Sequence, residues 1–178
     1  MGGWNGWSFK AAFVAAVLGP CLALSAETGP LPPAFDVRIR HEATADTVRQ
    51  ALRGAAERLE SPSCQAVFSD FSDASGRLLS DRLADLGQTP QGYLGKVLFY
   101  DGSVKPHCQA KDKGVLAVTA PGSPAVFVCP KAFRDQYWKQ PLYAEATLIH
   151  EALHTLGLGE NPPTSREITS RVVKRCVR

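Results

Sequence analysis

The chain has almost no excess of charge of either sign. Its 20 Lys and Arg stand against 17 Asp and Glu, a formal balance of +3, and they are scattered rather than gathered into a stripe. Nucleic-acid binding, which needs a concentrated basic footprint, gains no support from such a surface. Nor is there an apolar run of the roughly 20 residues that a bilayer span requires. The best candidate, Ala11 to Leu24, is interrupted by Gly19 and Pro20. It follows Lys10 and precedes the small residues Ser25 and Ala26, which is the pattern of a cleavable export signal over residues 1–26. Close C-x-x-C pairs are missing too, which argues against a four-thiolate metal site. No internal repeat or low-complexity tract is present.

Removing the signal takes Cys21 with it and leaves Cys64, Cys108, Cys129 and Cys176. An even set in a chain bound for an oxidising compartment, secreted or periplasmic, reads as two disulfides. Three pairings are possible, and we favour Cys108 with Cys129 and Cys64 with Cys176. Residues 27–35 hold several prolines and read as an extended lead-in. Residues 36–178 then suffice for one domain, expected to be monomeric and without a stable membrane span.

Within that domain Val37 and Ile39 alternate with Arg38 and Arg40 as in a half-buried strand. Val48, Ala51, Leu52, Ala55 and Leu59 recur at helical spacing, which predicts a helix from Asp46 to Glu60. A short strand is expected over Gln65 to Phe68 and a second helix from Arg77 to Leu86, stopped by Gly87. Val97 to Tyr100, Val115 to Thr119 and Ala125 to Cys129 read as strands, the last two forming an antiparallel hairpin around Pro121-Gly122-Ser123-Pro124. Pro141 suits the first turn of a helix running to about Leu156, with Gly157 behind it. Thr164 and Glu167 have capping-box spacing at the start of a last helix, Ser165 to Cys176.

The chemistry lies on the helix that ends near Leu156. His150 and His154 are four residues apart, so both project from one face and can ligate one metal, while Glu151 stands beside it without ligating. Zinc held by three protein ligands polarises a bound water, and a neighbouring carboxylate takes its proton, so Glu151 is the candidate general base. Glu and His also occur on solvated helix faces. Here, however, Leu148, Ile149, Ala152, Leu153 and Leu156 make the rest of the helix apolar, and polar groups set into a buried helix need partners.

The stretch His150 to Glu160 resembles the metzincin signature H-E-x-x-H-x-x-G-x-x-H of the zincin metallopeptidases, with Gly157 at the position of the glycine. The resemblance implies an α+β catalytic domain over residues 36–178, with a mixed or antiparallel sheet packed against the active-site helix. It further implies a Zn2+ cofactor, hydrolysis of peptide bonds, and a peptide or protein substrate laid along the edge strand. Two departures stand out: Glu160 replaces the third histidine, and no methionine turn is possible because Met1 is the only methionine. Glu160 is the expected third ligand, and Glu167 on the following helix is the alternative. Tyr137 and Tyr143 could hydrogen-bond an oxyanion but read first as half-buried packing, whereas His41 and His107 read as structural or solvated, with His107, beside Cys108, a distant alternative ligand. The function so implied is an exported zinc-dependent peptidase. The competing reading is an exported zinc-binding or disulfide-stapled interaction module without peptidase activity.

Overall fold

The computed structural model describes residues 1–3, 34–110 and 114–177. The expected signal segment lies outside the described residues except for its first three, and the lead-in is described only at residues 34 and 35. The element order is β1 (Asp36–Arg38), α1 (Glu42–Arg58), α2 (Pro62–Gln65), a 3-10 turn (Ala66–Ser69), α3 (Leu79–Asp85), α4 (Pro90–Leu94), β2 (Leu98–Asp101), α5 (Pro106–Gln109), β3 (Ala117–Thr119), β4 (Ala125–Val128), α6 (Pro130–Lys139), α7 (Pro141–Thr155) and α8 (Ser165–Cys176).

The strands form one sheet in the order β1-β2-β4-β3. The pairs β1–β2 and β2–β4 are parallel, with Val37 opposite Phe99 and Tyr100 opposite Phe127; β3 joins β4 antiparallel, with Val118 opposite Phe127. The sheet is therefore mixed, and the fold is α+β. Its strands alternate as a one-sided sheet should. Phe99, Val126 and Val128 are buried against the helices. On the opposite face Tyr100 and Phe127 stack at 5.9 Å, covered by Arg38 and Lys105.

Helix α1 follows its predicted stripe, burying Val48, Ala51, Leu52 and Ala55. It begins four residues earlier than expected, where His41 turns from extended backbone and its carbonyl accepts from Thr44 and Ala45 N–H. The expected strand at Gln65 to Phe68 is instead the end of α2 and the 3-10 turn. Ser61 is an N-cap whose side chain accepts from Cys64 N–H, and Pro62 supplies the first helical position. The turn this creates faces Cys64 toward the end of α8. Helices α4, α5 and α6 were not expected from the sequence. The first two are under two turns long, and α6 buries only Phe133, too little to mark an apolar face.

Helix α7 is the centre of the domain, packing against α1, α6, α8 and β3. Almost every residue from Ala144 to Thr155 is buried. Helix α8 is fastened at its far end: Cys64–Cys176 joins it to α2, Arg175 makes two hydrogen bonds to Asp70, and Arg58 donates to the Cys176 carbonyl. A second disulfide, Cys108–Cys129, ties α5 to the end of β4. Among the described residues no helix is long and apolar enough to cross a membrane. The two disulfides suit an oxidising, extracellular environment.

The two cross-links close loops of very different length, with sequence separations of 112 and 21. In the chain-entropy view the longer stabilises by about 5 kcal/mol and the shorter by about 3 kcal/mol. Replacing Cys64 and Cys176 together by Ala should therefore lower the urea midpoint more than replacing Cys108 and Cys129 together. Equal midpoints, or the reverse order, would show that loop closure does not set their contributions.

Candidate metal centre

His150 and His154 sit one turn apart on α7, and their Nε2 atoms approach to 2.9 Å. Both residues are only 4% exposed, so the outer nitrogen of each ring must be satisfied by protein. His154 Nδ1 lies 2.7 Å from the Leu158 carbonyl, and His150 Nδ1 lies 2.9 Å from Thr169 Oγ1 on α8. A carbonyl only accepts, so His154 carries its proton on Nδ1 and presents a lone pair on Nε2. Burial, with His154 adding to it, pulls His150 down to about 3, so the His150 ring stays neutral and available as a ligand.

The chain after α7 is turned back by Gly157. Its N–H bonds the His154 carbonyl at 2.9 Å, and Leu158 N–H bonds the Leu153 carbonyl at 3.2 Å, the paired bonds of a Schellman stop. Gly157 has φ 108, a backbone region that a side chain would strain. This reversal puts the Leu158 carbonyl under His154 and carries Glu160 over the two rings. Glu160 Oε1 lies 3.3 Å from His154 Nε2 and 3.8 Å from His150 Nε2.

The three atoms lie within 4.8 Å of one another and can hold a metal ion. Ligands at ordinary zinc bond lengths in a tetrahedron stand about 3.3 Å apart. The three observed separations, 2.9, 3.3 and 3.8 Å, bracket that value. Glu167 is engaged elsewhere: its carboxylate accepts from Thr164 N–H and from the Thr164 hydroxyl, closing the capping box.

Glu151 is 6% exposed, and its Oε2 is buried with no hydrogen-bond partner among the described residues, as is Thr119 Oγ1. Leaving such an atom unpaired costs roughly 1–3 kcal/mol, so the carboxyl is a group held ready for a partner. Burial pushes it up to about 7; the neighbouring Thr119 hydroxyl opposes this, and the Glu160 charge adds to it.

These groups line a cleft of about 350 Å³. One wall is α7 with His150, Glu151 and His154; another is β3 and its approach, with Val115, Ala117, Val118 and Thr119; Glu160 and Ser165 come from the loop and start of α8, and His107 from α5. The β3–β4 turn is docked on the metal helix, because Gly122 N–H donates to the His154 carbonyl at 2.8 Å. Tyr137 and Tyr143 do not line this cleft: Tyr137 packs on the core and Tyr143 is exposed. His41 lies before α1, away from it. His107, expected to be structural or solvated, is exposed and also lines the cleft. The signal for it was its place beside Cys108, whose partner Cys129 directly follows β4. Thr119 and Thr169 went unrecognised because a threonine's neighbours are set by tertiary packing. Comparison with protein-family models, with curated proteins and with solved structures finds no match.

The geometry places Glu160 with the two histidines, where the three can hold a metal ion, and Glu167 at the helix cap. Titrating the protein with Zn2+ against a competing chelator should show Glu160→Ala losing affinity by more than the roughly 10–100-fold that removal of a group supporting a ligand costs. Thr169→Val should fall within that smaller range, and Glu167→Ala should bind as the parent does. Retained affinity in Glu160→Ala with loss in Glu167→Ala would reverse the assignment.

Proposed function

We propose that the protein is a zinc-dependent peptidase of zincin-like architecture, exported to an oxidising compartment. The observation that carries this reading is the convergence, in one cleft, of the His150–His154–Glu160 group, the buried Glu151 carboxyl with an oxygen left unpaired among the described residues, and the edge of the sheet. Two imidazoles and one carboxylate form the ligand set of a catalytic rather than a closed structural zinc site, because three protein ligands leave a position for water. Zinc bound there would supply Lewis acidity, drawing down the proton affinity of a water and polarising a carbonyl.

The choice of a peptide as substrate rests on β3. Cys129 N–H donates to the Leu116 carbonyl, and an antiparallel ladder alternates, so Leu116 and Val118 bond to β4 while the backbone groups of Ala117 and Thr119 point away from it. Strand β3 ends the sheet order and lines the cleft. An extended peptide can add there as a further strand through main-chain hydrogen bonds. It would pass within reach of Glu151, which accepts a proton from the attacking water as the water oxygen bonds to the carbonyl carbon. The same carboxyl then delivers that proton to the amine nitrogen as the C–N bond breaks, so one residue serves as base and acid.

Glu151→Gln keeps the size and burial of the side chain and leaves the three ligands untouched. It should retain Zn2+ at the parent's affinity and lose peptidase activity toward an unfolded protein by about 10²–10⁴-fold, the usual contribution of a proton-transfer group. Parent activity should vanish with a chelator and return with Zn2+. Turnover by Glu151→Gln at the parent's rate would refute the base, and a parent that binds Zn2+ but cleaves nothing would favour a zinc-binding module.

A further inference from the structure

The groups placed so far supply ligands, a base and a peptide edge, but none donates a hydrogen bond to the carbonyl oxygen on which charge builds as water adds. Among the described residues, the polar side chains of this cleft outside the metal group and Glu151 are those of His107, Thr119 and Ser165. Thr119 Oγ1 is buried against Glu151. Ser165 enters from the loop that carries Glu160, and its hydroxyl extends little beyond its backbone. His107 comes from the β3 side on a longer side chain. Its ring makes no hydrogen bond among the described residues, and a neutral imidazole always carries one N–H.

Its backbone is held firmly for a residue on so short a helix. The Cys108–Cys129 disulfide binds the adjacent residue to the end of β4, with Cα atoms 5.0 Å apart, and Cys129 is itself bonded to the start of β3. Gly102 lets the preceding turn press on the same strand. Its N–H bonds the Val128 carbonyl at 2.8 Å, and a Cβ there would meet that oxygen at 2.7 Å and Cys108 Sγ at 2.9 Å. Lys105 and Gln109 add a cation over the Phe127 ring and a bond to the Ser103 carbonyl. These contacts fix the backbone from which the exposed His107 ring borders the cleft, and a donor carried on a fixed backbone has less freedom to lose on meeting a transition state.

Resting on the peptidase reading, we infer that His107 is a further catalytic residue, whose ring N–H donates to the scissile carbonyl oxygen while the π pair of that carbonyl moves onto it. Glu151 handles the proton of the water, and His107 meets the oxygen from α5, a different element from the helix that carries Glu151. No covalent bond to His107 forms or breaks.

The test uses the zinc-loaded, disulfide-intact protein with a peptide substrate and a phosphinic peptide of matching sequence, whose tetrahedral centre carries the charged oxygens. His107→Ala should lower kcat roughly 10²-fold with KM little changed, and should weaken the phosphinic peptide by a similar factor. Zinc affinity and the blocked state of all four thiols should stay at parent values. His107→Gln, whose amide also donates an N–H, should recover part of both losses. Unchanged kcat and unchanged phosphinic affinity in His107→Ala would overturn the assignment, as would finding the loss in Ser165→Ala instead. If the parent cleaves no peptide, the peptidase reading fails separately; the phosphinic peptide then decides His107, its weakened binding supporting the contact and undiminished binding refuting it.

Discussion

Two imidazoles and a carboxylate ride on a helix that the rest of the domain surrounds, and each must be satisfied without water. This constraint organises the neighbourhood of α7. The ring of His154 is met by the Leu158 carbonyl, which is where it is only because the chain reverses at Gly157. The ring of His150 is met by Thr169, which requires α8 to pack beside α7. Their inner nitrogens then have one direction left, toward each other and Glu160. Glu151 is the exception, keeping a buried oxygen without a partner among the described residues. A fold tolerates such a deficit of order 1–3 kcal/mol most readily where a ligand or substrate repays it.

The remaining structure serves to hold three walls in register around that helix. The Cys64–Cys176 bond and the Asp70–Arg175 pair anchor the end of α8, so the threonine supporting His150 is placed by contacts more than one turn away. The Cys108–Cys129 bond holds α5 against β4, and the Gly122 to His154 bond seats the β3–β4 turn on α7. The site is thus assembled from segments far apart in the chain, with α7 as their common neighbour.

The division of labour within the cleft follows from where each group comes from. His150, Glu151 and His154 lie on one helix and Glu160 on the loop that leaves it; as the ligands and base of the proposed peptidase they would serve chemistry that tolerates little displacement. The strand beside them offers backbone rather than distinctive side chains, which suits a substrate recognised through its main chain. His107 borders the cleft from α5, whose Cys108 is tied by a disulfide to the end of β4.

What was legible in the sequence is what short-range periodicity and covalent spacing control. The four-residue separation of His150 and His154 places both on one helical face wherever that helix lies. Glycine at 157 marks the stop, and Thr164 with Glu167 marks the next start, because caps are local hydrogen-bond patterns. The α1 stripe and the three strands after Val97 are likewise local alternations. Segments whose structure depends on partners were misread or missed: Gln65 to Phe68 looked like a strand because Val67 and Phe68 are apolar, yet the Ser61 cap and the facing of Cys64 to Cys176 make it helical. The parallel pairing of β1, β2 and β4 joins segments that no turn connects directly, so only packing could set it. Spacing already favoured Glu160 over Glu167, but only the chain reversal brings its carboxylate beside the imidazoles while the cap engages Glu167. His107 shows the same limit most plainly, because a histidine 43 residues before the metal pair shares their cleft only through a cross-link and a sheet.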